Sequence, residues 1–353
     1  MTRIADWPAA AQWLALIGGG LLAGYGLQAL QLPAGLMLGP LILGAVLGMK
    51  GATVRVPGLA YQLAQGIAGC LIALHIEPEV LGRVAELWPV LLIFVVLTFV
   101  AACATGAIAA VWTGIDREVS VWGFLPGMAG TMIAISHDRG LDSRMVAFIQ
   151  ILRLMVVIAS MVVAAMLLVG PAAQPASGAS APDALSGLAS LGIACLGVIA
   201  ARWLPAIPAG ASLVPLTVAA GLGVSGISLA MPGWLLAAGF LGLGLQIGLR
   251  FTPDLIRTGL AALPALLAAC LLLIALCGVS GVFLSWIAGV DLMSGLLATV
   301  PGSIDSIAII AIGAHADVSF VMTLQTIRLF AVALLGPTVA ALLLRMMRRR
   351  DRL

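Results

Sequence analysis

The run Val300-Pro301-Gly302-Ser303-Ile304-Asp305-Ser306 decides how this chain is read. It stands inside otherwise apolar sequence and leads into an apolar helix carrying Gln325 and Arg328. Proline has no N–H to donate and glycine loses the most backbone freedom, so a Pro-Gly pair interrupts a helix. In lipid such an interruption survives only where protein or a water-filled cavity satisfies the released backbone groups. An aspartate four residues past the break, and an arginine deep in the next helix, are costly there too. The arrangement also occurs earlier in the chain. Subtracting 175 from each number maps Pro301 to Pro126, Gly302 to Gly127, Gln325 to Gln150 and Arg328 to Arg153.

Composition fixes the setting. Of 353 residues, 62% are hydrophobic and 9% charged, and the mean hydropathy is +1.19. Soluble domains do not look like this, so the chain reads as an all-α polytopic membrane protein in a lipid bilayer. Arg345, Arg348, Arg349, Arg350 and Arg352 crowd the C-terminus. Beside a membrane helix such a cluster is a topology signal that keeps the end cytoplasmic, not a nucleic-acid patch. The five cysteines (Cys70, Cys103, Cys195, Cys270, Cys277) all lie in apolar segments without a CxxC pair, and read as small buried hydrophobes. Met1 to Pro8 shows no removable signal peptide.

Apolar segments run at 11–30, 33–49, 57–76, 87–112, 119–136 and 144–169, then at 187–205, 208–227, 232–250, 259–288, 294–312 and 319–344. Between the two sets lies an Ala/Pro/Ser-rich, nearly uncharged linker. The domains expected are therefore a first membrane repeat at 1–169, a linker at 170–186, and a second repeat with a basic tail at 187–353. The 175-residue shift holds without a gap: Pro33-Ala34-Gly35 returns as Pro208-Ala209-Gly210, Pro40 as Pro215, Pro78 as Pro253, Pro89 as Pro264, Gly114 as Gly289, Asp116 as Asp291 and Asp142 as Asp317. Prolines and polar residues in register mark a duplication.

Basic residues then orient the halves. With the C-terminal arginines inside and the Lys/Arg-free linker outside, each half crosses an odd number of times. Arg3, Lys50, Arg55, Arg117, Arg139, Arg144, Arg202, Arg250 and Arg257 then also fall inside. Six apolar segments with an odd number of crossings leave one that does not span normally. The Pro-Gly segments at 119–136 and 294–312 are candidates for it, as re-entrant hairpins or broken helices, and so is the short second segment of each half. The expected fold is two inverted repeats of about five crossings each, with both termini cytoplasmic. This is the build of secondary transporters, whose site lies near the midplane.

Asp305 follows the break, with Ser303 placed to cap the half-helix. It reads either as a carboxylate that takes up a proton or sodium ion, or as a simple capping residue. Arg153 and Arg328 each lie deep in a helix, with Gln150 and Gln325 on the same face. They read as ligands for an anion or as structural groups, with Asp305 the partner on offer for Arg328 and none for Arg153, whose equivalent acid position is Gly130. Ser306 and Thr131 hold equivalent positions past the breaks, where a hydroxyl can meet a cation or a substrate or cap local backbone. His75, His137 and His315 share no metal-ligand spacing, so no metal and no cofactor is expected. No GxSxG, P-loop or dinucleotide motif is present.

Leu32-Pro33-Ala34-Gly35 with Gly39-Pro40, Pro126-Gly127 with Gln150-Ile151-Leu152-Arg153, and Pro301-Gly302-Ser303 with Gln325-Thr326-Ile327-Arg328 resemble the AbrB family of bacterial inner-membrane proteins. The resemblance covers nearly all of the chain outside the linker. It implies the fold of the cation–proton antiporters and anion symporters, with the two Pro-Gly breaks at a crossing point. Those antiporters usually carry two acids or Asn-Asp there. This chain has only Asp305 opposite Gly130, which weighs against sodium–proton exchange. Some family members are labelled ammonia monooxygenase. Three dispersed histidines do not supply a copper site, so no enzyme is expected. The family name also points to regulation of gene expression, yet no long cytoplasmic segment is present to read DNA or bind a regulator. The expectation is a secondary transporter for a small, anionic solute, coupled to a proton or sodium at Asp305. The alternatives are a cation/proton antiporter and, from other classes, a membrane monooxygenase or a membrane regulator of gene expression; dimers are common for such folds.

Overall fold

The computed structural model describes residues 4–76, 78–126, 129–170, 184–204, 207–225 and 229–350, with side chains left out at 78–81, 83–85, 129–131, 134, 184–186 and 335–350. The linker and the C-terminal arginine side chains therefore lie outside the described residues, as do Gly127 and the Thr131 side chain.

The described residues form helices and no strand. The first half contains α1 (Ala9–Ala29), α2 (Gly35–Met49), α3 (Gly58–Ala73), α4 (Pro78–Thr113), α5 (Arg117–Phe124), α6 (Ala129–Asp138) and α7 (Ser143–Leu168). The second contains α8 (Ala184–Trp203), α9 (Gly210–Val224), α10 (Gly233–Gly248), α11 (Pro253–Gly259), α12 (Leu263–Ala288), α13 (Leu292–Thr299), α14 (Ile304–Gly313) and α15 (Val318–Arg350). Helix starts recur at the offset of 175 residues: α2 and α9, α3 and α10, α5 and α13, α6 and α14, α7 and α15. The local chemistry recurs with them. Ala34 and Ala209 are both left-handed, at φ 60° and 53°, just ahead of α2 and α9. Asp116 accepts from the N–H groups of Glu118 and Val119, capping α5, and Asp291 accepts from Ser294 N, capping α13.

Among the described residues, four helices are long and apolar enough to cross a membrane: Ala9–Ala29, Glu86–Thr113, Ser143–Leu168 and Pro253–Ala288. Shorter apolar helices include Gly35–Met49, Gly58–Ala73, Gly210–Val224 and Gly233–Gly248. A helix of 15 residues rises only about 22 Å, less than the hydrocarbon thickness. The outer surfaces are apolar. Ile93, Val96 and Val100 on α4, and Val279, Phe283 and Trp286 on α12, are exposed, a pattern water does not tolerate and lipid does. Exposed tryptophans sit near helix ends, among them Trp112 on α4, Trp203 on α8, Trp234 on α10 and Trp286 on α12. These are the levels a headgroup belt favours. Cys70, Cys103, Cys270 and Cys277 are buried as read from sequence, whereas Cys195 is exposed.

Contacts divide the chain into two compact units, each drawing on both halves. The first unit takes 1–80, 162–253 and 305–319. Within it α2 packs on α10, and α9 on α3. A Cβ on Gly69 of α3 would lie 2.2 Å from the Ser212 carbonyl oxygen of α9, and one on Gly244 of α10 would lie 2.4 Å from the Met37 carbonyl oxygen of α2. Only glycine permits either approach. Ile309 of α14 packs with Met37, Ala64, Ala68 and Leu243, and the end of α14 at Gly313 meets Pro33 and Ala34. The second unit takes 81–161, 254–304 and 320–353. There α12 packs closely on α13, where a Cβ on Gly295 would meet the Gly281 carbonyl oxygen. A buried cluster joins Cys103, Val119, Val121, Trp122, Leu125, Met132 and Val332. α14, from Asp305 on, groups with the first three helices of each half, whereas α6 belongs to the second unit.

Candidate functional site

Two sets of buried polar side chains stand out, one in each unit. In the second unit, α5 ends at Phe124 and α13 at Thr299. Residues 300–303 are not helical, and α14 begins at Ile304. The last carbonyls of a helix have no partner inside it and carry the negative end of its dipole. In an apolar interior they need donors.

Gln150 and Arg153 on α7 supply those donors to α5. Gln150 Nε2 donates to Trp122 O at 3.0 Å and Leu125 O at 3.2 Å. Arg153 Nη1 donates to Phe124 O at 2.6 Å, and its Nη2 to Gln150 Oε1 at 3.1 Å. Gln325 and Arg328 on α15 do the same for α13. Gln325 Nε2 donates to Leu297 O at 2.6 Å and Val300 O at 3.2 Å. Arg328 Nη1 donates to Val300 O at 2.7 Å, and Nη2 to Gly302 O at 3.2 Å and to Gln325 Oε1. The glutamine contacts repeat residue for residue at the offset of 175: Trp122 answers to Leu297, and Leu125 to Val300. A glutamine and an arginine three apart share a helix face, so one amide and one guanidinium close each helix end together. Both arginines stand ten residues into their helices, about 15 Å along the axis.

These contacts correct one sequence expectation. Arg153 is not unpaired: its terminal nitrogens serve α5, and its Nε is the atom left buried without a partner among the described residues. The two guanidiniums also lie within electrostatic range of each other and of Cys277 on α12. Two positive groups in one apolar unit exceed the partial charges of two helix ends, each worth about half a charge.

The first unit holds the acid. Asp305 is buried in the first turn of α14. Its Oδ1 accepts from Ser212 Oγ of α9 at 2.8 Å, and its Oδ2 from Gln65 Nε2 of α3 at 3.2 Å. Asp305 had been offered as the partner of Arg328; the hydrogen bonds described for each lead to these other groups. Tyr61, one turn before Gln65 on α3, lies within electrostatic range of the carboxylate. Ser303 stands just ahead of α14, and Ser306 is buried beside Asp305. Pro301 and Gly302 lie in the non-helical stretch, and Pro126 follows the end of α5.

Sequence reasoning missed Gln65 and Ser212. A signal was present. At the offset of 175 residues Gln65 faces Phe240, Ser212 faces Met37 and Asp305 faces Gly130. Three polar positions on three helices are apolar in the other half, and the positions where the halves disagree mark the site.

The chain matches, over residues 36–344, the family described as Transition state regulatory protein AbrB. It belongs to the AbrB family. It is 34% identical over 336 residues to the Escherichia coli (strain K12) protein named "Putative regulator AbrB", covering 93% of this chain and 95% of that one. It is also 26% identical over 305 residues to the "Uncharacterized protein YhjN" of Bacillus subtilis (strain 168), covering 78% of this chain and 76% of that one.

Proposed function

We propose that this AbrB-family protein is a secondary transporter of the bacterial inner membrane, moving a small anionic solute by alternating access. Its two halves are read as inverted repeats of about five crossings each, with cytoplasmic termini. The reciprocal packing of α2 on α10 and α9 on α3 supports a two-fold relation, since each half offers the other the same pair of surfaces. The charge asymmetry of Lys and Arg puts that axis in the membrane plane. α5 with α6, and α13 with α14, are then interrupted membrane helices.

One observation carries the functional reading: buried ionisable groups at helix interruptions in an otherwise apolar chain. Asp305, Arg153 and Arg328 are each under a tenth exposed, and such groups at membrane depth mark solute and ion paths. The surplus positive charge around Arg153 and Arg328 favours an anion, and the buried Asp305 takes the coupling ion.

A second reading has its own support. The arginines close the ends of α5 and α13, so they also fit a structural role, with the protein a cation/proton antiporter. The printed name of the Escherichia coli relative adds a third, a membrane regulator.

Uptake separates the three. Purified protein is reconstituted into liposomes, and a panel of labelled small carboxylates is offered under an imposed pH or sodium gradient. Gradient-driven accumulation of one anion is the expected result. Proton movement driven by an opposing cation gradient, without anion accumulation, marks the antiporter. No flux under any gradient, with an intact genetic phenotype, marks the regulator.

A further inference from the structure

We propose that Asp305, Gln65 and Ser212 form a proton site, occupied by one proton per molecule and not built to hold a sodium ion. The inference rests on the transporter reading, in which Asp305 carries the coupling ion, and it names that ion.

The partners argue for a proton. A hydroxyl and a carboxamide are each both donor and acceptor. With Asp305 ionised, Ser212 Oγ donates to Oδ1 at 2.8 Å and Gln65 Nε2 to Oδ2 at 3.2 Å. With Asp305 protonated, the new O–H donates to Ser212 Oγ after the hydroxyl rotates, or to Gln65 Oε1 after the amide turns over. Both carboxyl oxygens keep a partner in either state. A buried carboxyl that titrates needs this, because an orphaned group in an apolar setting is destabilising.

The same geometry suits a sodium ion poorly. Hard cations gather several oxygens at once. Even with its amide turned, Gln65 adds only one oxygen to the carboxylate and the Ser212 hydroxyl. The interior carbonyls of α3 are taken by helix bonds. In α9 Pro215 leaves the Ala211 carbonyl without its helix donor, but that oxygen lies against Gly197 of α8, and the Ser212 carbonyl lies against Gly69.

The site exists once. Its counterparts are Gly130, Phe240 and Met37, and Met37 lies in a buried apolar cluster that Phe240 packs against. Among the described residues Asp305 is the only buried carboxylate. Few other titratable groups face it. α3 brings Tyr61, on which Arg250 just beyond α10 also acts, and Cys70 further along. α9, α10 and the rest of α14 carry none. Gln65 is only half-buried while Asp305 and Ser212 are buried, so the proton reaches the carboxylate from the Gln65 side.

The test needs no transported solute, so its failure is distinct from failure to transport. Infrared difference spectra are recorded on the protein in lipid nanodiscs across a pH series, once in potassium chloride and once in sodium chloride. A carboxylic-acid C=O band that titrates alike in both salts is expected. It is expected to vanish in Asp305→Asn. Its midpoint should be displaced about tenfold in proton concentration in Ser212→Ala and Gln65→Leu, and return towards the original value in Ser212→Thr. A band that sodium displaces overturns the proposal, as does its absence from the unaltered protein, or a midpoint indifferent to both partner substitutions. The salt comparison on the unaltered protein stands even if a variant does not fold.

Discussion

The double variant Gln325→Leu/Arg328→Leu is expected to lose most of its folded population in detergent, while each single variant loses less. Val300 O receives a bond from both side chains, so either residue alone still covers it. Gln325→Leu strips only Leu297 O, and Arg328→Leu only Gly302 O and the Gln325 amide oxygen. Together they leave three buried carbonyls without these donors. At about 1–3 kcal/mol for each orphaned group, the loss is about 5 kcal/mol, comparable to the whole stability of a domain. Removing the guanidinium also relieves its repulsion with Arg153, which offsets part of this in both Arg328→Leu and the double variant. The further loss of the double variant beyond either single, which is what exposes Val300 O, is therefore the diagnostic quantity. Thermal unfolding followed by gel filtration measures it. A sub-kcal/mol loss in the double variant would show that α13 does not depend on this closure. Arg328→Lys should fall between, because a single ammonium does not reproduce the planar fork that reaches Val300 O and Gly302 O together.

Asp305→Asn is expected to fold normally and to abolish gradient-driven uptake. The carboxamide is nearly isosteric and keeps an acceptor for the Ser212 hydroxyl, while its amide can pair with Gln65 after that side chain turns. Stability should change by less than about 1 kcal/mol, because no buried group is orphaned. The group can no longer exchange a proton, so accumulation against a concentration gradient should fall to the level of protein-free liposomes. Solute exchange at equal concentrations can persist, because it needs no net ion movement. Uptake equal to the unaltered protein would remove Asp305 from coupling.

Much of the helical pattern was legible in the sequence, because matching residues recur 175 positions apart. Pro126 and Pro301 stand just past the ends of α5 and α13. Asp116 and Asp291 cap equivalent helices, and Gln150 and Gln325 close equivalent helix ends. The targets of the two arginines were not legible. Their acceptors are backbone carbonyls, which every residue carries, so no side-chain pattern announces them. The Asp305 partners were hidden for another reason. Gln65 and Ser212 lie 240 and 93 residues from Asp305, on helices whose other residues are chosen for close packing. Only the comparison of Gln65 with Phe240 and Ser212 with Met37 exposes them. The placement of α14 with the first three helices of each half follows from those two bonds and from Ile309, and composition alone does not encode it.

The central claim is that the two halves run through the membrane in opposite senses. Ile115 and Val290 are equivalent positions, one residue ahead of the capping aspartates of α5 and α13. Single cysteines placed there, in protein with the five native cysteines replaced, can be labelled in spheroplasts with a membrane-impermeant maleimide. Labelling of Val290→Cys from outside, and of Ile115→Cys only after the membrane is opened, is the expected result. Labelling of both from the same side would mean parallel halves, and would contradict the account.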